Sequence, residues 1–367
     1  MENNKCPTRP HDTDNSSVNK ILDTLTSESF DNWYQGRIYR QNIRDGKPYF
    51  NGPSPVPPPH KHSPSGLLQC HRKIRYRQEN APEEVEDPEG ILWTGRRIEE
   101  DIVVPFLQDA VATETTYVRN SVWIDFVVDT AVKELRIKGV TDPLIVDSES
   151  IPLVPTEVKT TSSVEYKQSP NPHHRAQLHA YIVGLSKKFN VEITEGAVIY
   201  VSRDTLEMKV FVVEFDEEFW EDVVVEWAAK HTEYRLKDEL PPQQPEYDWE
   251  CKFCSFKERC GKGNSSYANI SPSGILPGVD TYPRDKVVEY LKGHDKASLT
   301  PILAEKYPDL TDHYPVQQWE CGLCSATYNN SEIRRDHSQN NHPLCSKCAT
   351  DGTIVELSVP VGDRQEK

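Results

Sequence analysis

The chain has 367 residues, a formal net charge of -16 and a mean hydropathy of -0.68. That length suits one sizeable α/β domain with smaller attachments, and a polar chain without an apolar run of spanning length is not an integral membrane protein. The acidic excess opposes phosphate binding except where bases cluster, as in the run His71-Arg72-Lys73-Ile74-Arg75-Tyr76-Arg77.

Residues 1–60 read as a polar arm. It opens without the apolar core of a secretory signal, which points to the cytoplasm, and closes on the extended proline cluster Pro53 to Pro59. Within it Phe30, Trp33, Tyr34, Ile38 and Tyr39 recur at helical spacing and predict a short helix docked on the main body. A helix is predicted from Ser63 or Ser65, carrying Leu67, Leu68, Cys70 and the basic run. A second spans Gly95 to Ala112, with Ile98, Ile102, Val103, Phe106 and Leu107 on one face. Short β-branched runs at 122–128, 135–139, 144–146 and 153–159 predict strands. Residues 175–188 follow as a helix, 196–201 and 208–215 as strands, and 217–236 as a long amphipathic helix. This alternation predicts a mixed α/β layer around one core.

Pro241 and Pro242 then break the chain, residues 261–278 read as a Gly/Ser/Pro-rich linker, and 283–305 as a short helical piece. The division expected is an arm at 1–60, a main domain at 61–262, a linker with a helix at 263–312, a cysteine-rich module at 313–359 and a charged tail at 360–367.

Two nested patterns carry chemistry. Asp142 falls just after a strand, with 14 residues between it and Glu157, which is enough for a hairpin that joins the two carboxylates. In Glu157-Val158-Lys159 the outer side chains share one face of a strand, so an acid that binds hard Mg2+ or Mn2+ sits beside a lysine that can neutralise phosphate or orient water. Taken alone, an acid-x-Lys on a strand is most often a solvated face, and Gln177 and Tyr181, spaced i and i+4, are ordinary helix neighbours. Outside these residues stand Cys70 and the trio Cys251, Cys254 and Cys260. Nine cysteines in a reducing cytoplasm point to metal, and only Cys6 falls outside metal-like spacings. A lone thiolate returning from 181 positions upstream is unusual for zinc, whereas four thiolates suit a 4Fe–4S cluster. A zinc ion on the same four ligands is the alternative.

In this order the motifs resemble the RecB-type branch of the PD-(D/E)xK nuclease superfamily, and the one-plus-three cysteines resemble its iron–sulfur subset. The CRISPR-associated exonuclease family that assists spacer acquisition, the fourth-numbered Cas family, is the nearest in pattern, over roughly residues 63–262. The resemblance implies a restriction-endonuclease-like mixed sheet flanked by helices and closed by the cluster. It implies that Asp142 and Glu157 bind metal, with Val158 counted beside them, that Lys159 is catalytic, and that Gln177 and Tyr181 contact DNA or buttress the site. Four residues after Gly95, where the family carries a metal-binding histidine, this chain has Glu99, with Glu100 and Asp101 as fallbacks. The implied activity is a metal-dependent DNA exonuclease on single-stranded ends, 5′ to 3′, with CRISPR integration proteins as partners. The alternatives are a repair nuclease acting with a separate helicase and a catalytically weak DNA-binding scaffold.

The last module holds Cys321-xx-Cys324 and Cys345-xx-Cys348, 20 residues apart, a zinc-ribbon spacing for Zn2+. His337 and His342 fit an alternative finger with the first cysteine pair. The four-cysteine ribbon is preferred, because residues 353–359 read as its closing strand.

Overall fold

The computed structural model describes residues 15–44, 55–86, 88–336 and 342–359, and the chain divides into two units, Met1–Gly52 and Pro53–Lys367. The first unit contains α1 (Asn15–Thr24) and α2 (Ser27–Arg44). On α2 the predicted aromatic positions meet, with Phe30 and Tyr34 stacked at 5.9 Å.

The second unit is a mixed α/β fold. Strand β1 (Lys61–His62) pairs in parallel with β4 (Leu135–Val140), which is antiparallel to β3 (Trp123–Val128). In β3 residues 124, 126 and 128 are buried and 123, 125 and 127 exposed, the period of a half-buried strand. A five-stranded sheet follows in the order β2-β5-β6-β7-β8, from β2 (Thr116–Arg119), β5 (Leu144–Asp147), β6 (Pro152–Thr161), β7 (Glu195–Ser202) and β8 (Met208–Glu214). Within this sheet β6 and β7 are the parallel pair, so their connection must cross over, and the helix between them makes that crossing.

Between the arm and the sheets, α3 (His71–Gln78) begins later than expected. Leu68 has left-handed backbone (φ 58), which no helix can continue, so Pro64–Gly66 forms only a 3-10 turn and Cys70 becomes the residue that caps α3. The next helix starts earlier than expected, as α4 (Glu89–Ile98), and continues through a π-helical stretch (Glu99–Val103), α5 (Val104–Phe106) and a second π stretch (Leu107–Val111). Pro105 has no N–H and interrupts the ordinary ladder there. The edge strand β2 was not foreseen: four half-exposed residues carry too little alternation to announce themselves.

Helix α6 (Pro172–Phe189) has proline at its first position and stops at Asn190 in the left-handed region (φ 54). Its Leu178, Ala180, Ile182 and Leu185 enter the main core with Ile124, Ile137, Leu144 and Val198. At Gly184 the helix touches β3, and a Cβ there would meet Ile124 and Phe126 at 2.9 Å. After a π stretch (Phe219–Val225), α7 (Glu226–Leu236) lies on α3 through near-parallel rings: His71 stacks on Trp227 at 4.6 Å and Trp227 on His231 at 5.3 Å.

Residues 261–278 are not an open linker. The short α8 (Lys257–Cys260) carries Arg259, which is fully buried and donates to the Ser271, Ser273 and Gly274 carbonyls. Ile275 and Leu276 then enter a second core with Tyr282, Leu299 and Leu310, around α9 (Arg284–Gly293) and α10 (Pro301–Lys306). Two apolar residues inside a small-residue run are a weak signal, and a buried arginine is none at all. The chain ends in small strands β9 (Trp319–Cys321), β10 (Thr327–Tyr328), β11 (Arg334–Asp336), β12 (His342–Leu344) and β13 (Leu357–Ser358), with α11 (Ser346–Thr350) between the last two.

Candidate active site and cysteine clusters

Asp142 sits where the chain leaves β4 and enters β5. The β5–β6 hairpin folds it back onto β6, and the Val158 N–H donates to its Oδ2 at 2.8 Å. Glu157 is completely buried, and the Lys159 ammonium on the same face contacts its Oε1. Apart from that contact and the Tyr181 hydroxyl beside it, neither Glu157 oxygen has a hydrogen-bond donor among the described residues. Val158 points the other way, into an apolar cluster with Ile98, Val103 and Ile199 that holds α4 over β6. Gly95 lies against this strand, a Cβ there being 3.2 Å from the Thr160 hydroxyl.

The electrostatics show how crowded this centre is. Burial, then the Asp142 charge, push the Glu157 carboxyl well above its ordinary range. Burial also raises Asp142, against the pull of Lys159 and the Val158 N–H. Glu99 rises to about 7, from burial first and the neighbouring Asp142 second. Burial opposes the charge of Lys159, but Glu157 and Asp142 outweigh it and hold its pKa above the ordinary lysine value. Three carboxylates thus converge on one lysine, and the deepest is completely buried. This arrangement fits a divalent cation, which would satisfy buried oxygens that are otherwise costly to ionise.

Gln177 and Tyr181 are both buried on α6, and the Gln177 amide donates to the Tyr181 hydroxyl at 2.7 Å. Burial, then Glu157 and Asp142, raise Tyr181 well above the ordinary tyrosine value, placing its hydroxyl beside the acids. The first turn of α6 adds residues that motif reasoning passed over. His174 Nδ1 lies 2.7 Å from the Tyr200 hydroxyl, which also accepts the Asn171 N–H at 3.0 Å. Burial, then His173 and Lys159, lower His174 to about 2 and keep it neutral. His173 is paired with Glu246. The Pro-His-His run just ahead of Gln177 was the available signal.

Cys70, Cys251, Cys254 and Cys260 line one cavity with Arg72, Lys73, Tyr76 and Phe256. Burial pushes Cys254 up to about 11 and also raises Cys251 and Cys260, and each of these three feels the Cys70 thiol. Any metal bound there must displace protons.

The description of the PD-(D/E)XK nuclease superfamily matches residues 55–261, more than half of the chain. The chain belongs to the PD-(D/E)XK nuclease superfamily. It is also similar to a protein named CRISPR-associated exonuclease Cas4 from Saccharolobus solfataricus, 27% identical over 198 residues, which cover 53% of this chain and 84% of that protein. A solved structure titled "Crystal structure of SSO0001" matches with a TM-score of 0.42 at 20% identity, covering 63% of this chain and 98% of that one.

Among the described residues of this PD-(D/E)XK nuclease no helix is long and apolar enough to cross a membrane. Its carboxylate centre has a consequence for the metal-free protein. Glu99 has a folded value near 7 against an ordinary 4.5, so between these the folded state binds the proton more tightly and its stability falls as pH rises. Buried histidines such as His62 and His231 titrate in the opposite sense, so the informative quantity is a difference. With metal chelated, the wild-type melting temperature should fall progressively behind that of Glu99→Gln as pH rises from about 4.5 to about 7. Saturating Mg2+ or Mn2+ should close or reverse the gap. A gap independent of pH would mean that Glu99 is not held in its proton-binding state.

At the C-terminal end of the nuclease the Cys321, Cys324, Cys345 and Cys348 sulfurs all lie within 4.8 Å of one another and could hold a metal ion. Cys321 approaches Cys348 at 3.7 Å and Cys324 approaches Cys345 at 3.6 Å. The β9–β13 pairing closes the module behind them. His337 lies outside the described residues, and for His342 only the backbone, paired with Asp336 across β11–β12, is described. Cys345→Ala should therefore remove the metal of this module, whereas His337→Ala/His342→Ala should leave its stoichiometry unchanged in elemental analysis. Metal loss in the histidine variant would restore the finger arrangement.

Proposed function

We propose that this chain is a Mg2+- or Mn2+-dependent deoxyribonuclease of the exonuclease kind, acting on single-stranded DNA ends from 5′ to 3′ in CRISPR adaptation. The observation that carries the metal-dependent reading is Glu157, a fully buried carboxylate facing Asp142 and touched by Lys159 and the Tyr181 hydroxyl. Similarity to the Cas4 exonuclease supports the exonuclease, polarity and pathway parts.

In this reading Asp142 and Glu157 hold the cation, the Val158 N–H fixes the angle of Asp142, and Glu99 takes the place across from them. A cation held by Asp142 and Glu157 would supply Lewis-acid stabilisation of charge on the scissile phosphate and would lower the pKa of water bound to it. Lys159, drawn onto Glu157, holds a positive charge where the phosphate charge grows. Gln177 orients Tyr181, and the Tyr181 hydroxyl donates to the Glu157 carboxylate and holds it in place.

Cys70, Cys251, Cys254 and Cys260 are proposed to hold a 4Fe–4S cluster, with residues 61–262 as the nuclease domain. In support, these four line one cavity without forming a compact group like that of Cys321, Cys324, Cys345 and Cys348. A four-iron cluster keeps its thiolates farther apart than a single ion does. The C-terminal set suits Zn2+, since Zn–S bonds of about 2.3 Å in a tetrahedron put sulfurs about 3.8 Å apart. The test is digestion of single- and double-stranded DNA labelled at either end, under anaerobic conditions, with Mg2+, Mn2+ or chelator. Loss of label from 5′-labelled single strands first, only with metal, is the expected result. Undigested DNA with either metal removes the enzymatic reading.

A further inference from the structure

Between the carboxylate centre and the cysteine cavity runs a segment that neither of them explains. It starts at Glu246, paired with His173 at the start of α6, and passes through the 3-10 turn Asp248–Phe253 to Cys251 and Cys254. Three large rings stand out from it into solvent: Tyr247 is 37% exposed, Trp249 55% and Phe253 77%. They form a row. Tyr247 and Trp249 are stacked with centroids 5.9 Å apart and planes at 14°, and Trp249 meets Phe253 edge-on at 6.5 Å.

Exposed aromatic surface of this kind gains nothing for the fold, since the apolar area stays in water. Its surroundings say what it suits. Lys252 is exposed within the row, and Lys73, Lys257 and Lys262 line the adjoining cavity. Of the acids in the same stretch, Glu246 is taken up by His173, Glu250 is half-buried with its carboxyl raised by burial, and Asp248 is exposed. The far end of the row leads back to the active centre. The His173 ring lies 4.0 Å from that of His174, and Lys159 bears electrostatically on His174.

We propose that Tyr247, Trp249 and Phe253 form a stacking platform for the bases of a single DNA strand whose end lies in the carboxylate centre. The proposal rests on the nuclease reading and deepens it. Unpaired bases offer free π-faces to aromatic rings, and neighbouring lysines take the phosphates. In a duplex those faces are already stacked on each other, so the platform favours single-stranded ends without reading sequence. It also gives the cysteine cavity a role in substrate binding, because Cys251 and Cys254 anchor the turn that carries Trp249 and Phe253.

The test uses the full chain carrying Lys159→Ala, so that the strand is not degraded, and a fluorescein-labelled oligothymidylate followed by anisotropy in chelator. Adding Trp249→Ala/Phe253→Ala should weaken oligothymidylate binding by about tenfold or more, leaving duplex binding and the metal content of the cysteine sites unchanged. Trp249→Phe/Phe253→Tyr should restore most of the affinity, and Tyr247→Ala, farther from the cysteines, should weaken binding on its own. In the otherwise wild-type enzyme the double alanine variant should raise KM for single strands with kcat little changed. Equal oligothymidylate affinity with and without the rings would overturn the platform, as would an aromatic replacement that fails to restore it. The two readings fail separately: a wild-type chain that digests nothing loses the nuclease function, while the anisotropy titration still reads the platform.

Discussion

Lys159→Ala should lower metal-dependent DNA cleavage by about a hundred- to a thousandfold, the usual effect of removing one electrostatic stabiliser from a preorganised site. The geometry gives the reason. Lys159 is drawn onto the buried Glu157 and feels Asp142 and Glu99 as well, so its ammonium is fixed before any substrate arrives. Folding should be compared with metal bound, because without it the substitution strips the lysine charge from three converging acids. The cysteine sites lie outside this centre, and their metal content should stay the same. Glu157→Gln supplies the complementary result. It should abolish cleavage as well, yet make the metal-free protein more heat-resistant, since it removes a carboxylate that is fully buried and poorly solvated. Undiminished digestion by the Lys159 variant would sink the role proposed for this lysine.

Cys70→Ser should be the most damaging change outside the carboxylates. Cys70 caps α3 and meets a trio that follows 181 positions later, so the proposed cluster would close a very long loop. Closing a loop of that size is worth about 5 kcal/mol on the chain-entropy estimate, and at about 2–4 °C per kcal/mol the melting temperature should fall by roughly 10–20 °C. Iron content and visible absorbance of anaerobically purified protein should fall with it, and cleavage should be lost through misplacement of α3 and the turn before α8. Cys345→Ala in the C-terminal module should leave that absorbance in place. Unchanged absorbance in the Cys70 variant would show that the trio holds its metal without the upstream thiolate.

The features legible in the sequence were those with a local period or a fixed spacing. The short β-branched run at residues 122–128 marked β3, and the Asp142-to-Glu157 spacing allowed the hairpin that β5 and β6 form. The two cysteine pairs at 321–324 and 345–348 suggested the four sulfurs that now lie within 4.8 Å. Features set by distant partners were not legible. Leu68 turns left-handed and ends the expected helix, Arg259 gathers carbonyls from 271–274, and the supposed linker becomes part of a second core. The row Tyr247, Trp249 and Phe253 looks in sequence like ordinary aromatics around a cysteine motif, because exposure and ring stacking are not properties of spacing.

The sequence by itself determined which chemical groups are present and in what order: three acids and a lysine, a glutamine–tyrosine pair, and two sets of four thiols. The tertiary structure alone decided how these groups affect one another. It buried Glu157 completely, brought Asp142 close enough to Glu99 and Glu157 to raise the pKa of each, and set His174 and Tyr200 beside Lys159. The physical reason is that a charge's energy depends on its solvation and on neighbours a few ångströms away, and strands β4 to β7 bring such neighbours together from far along the chain.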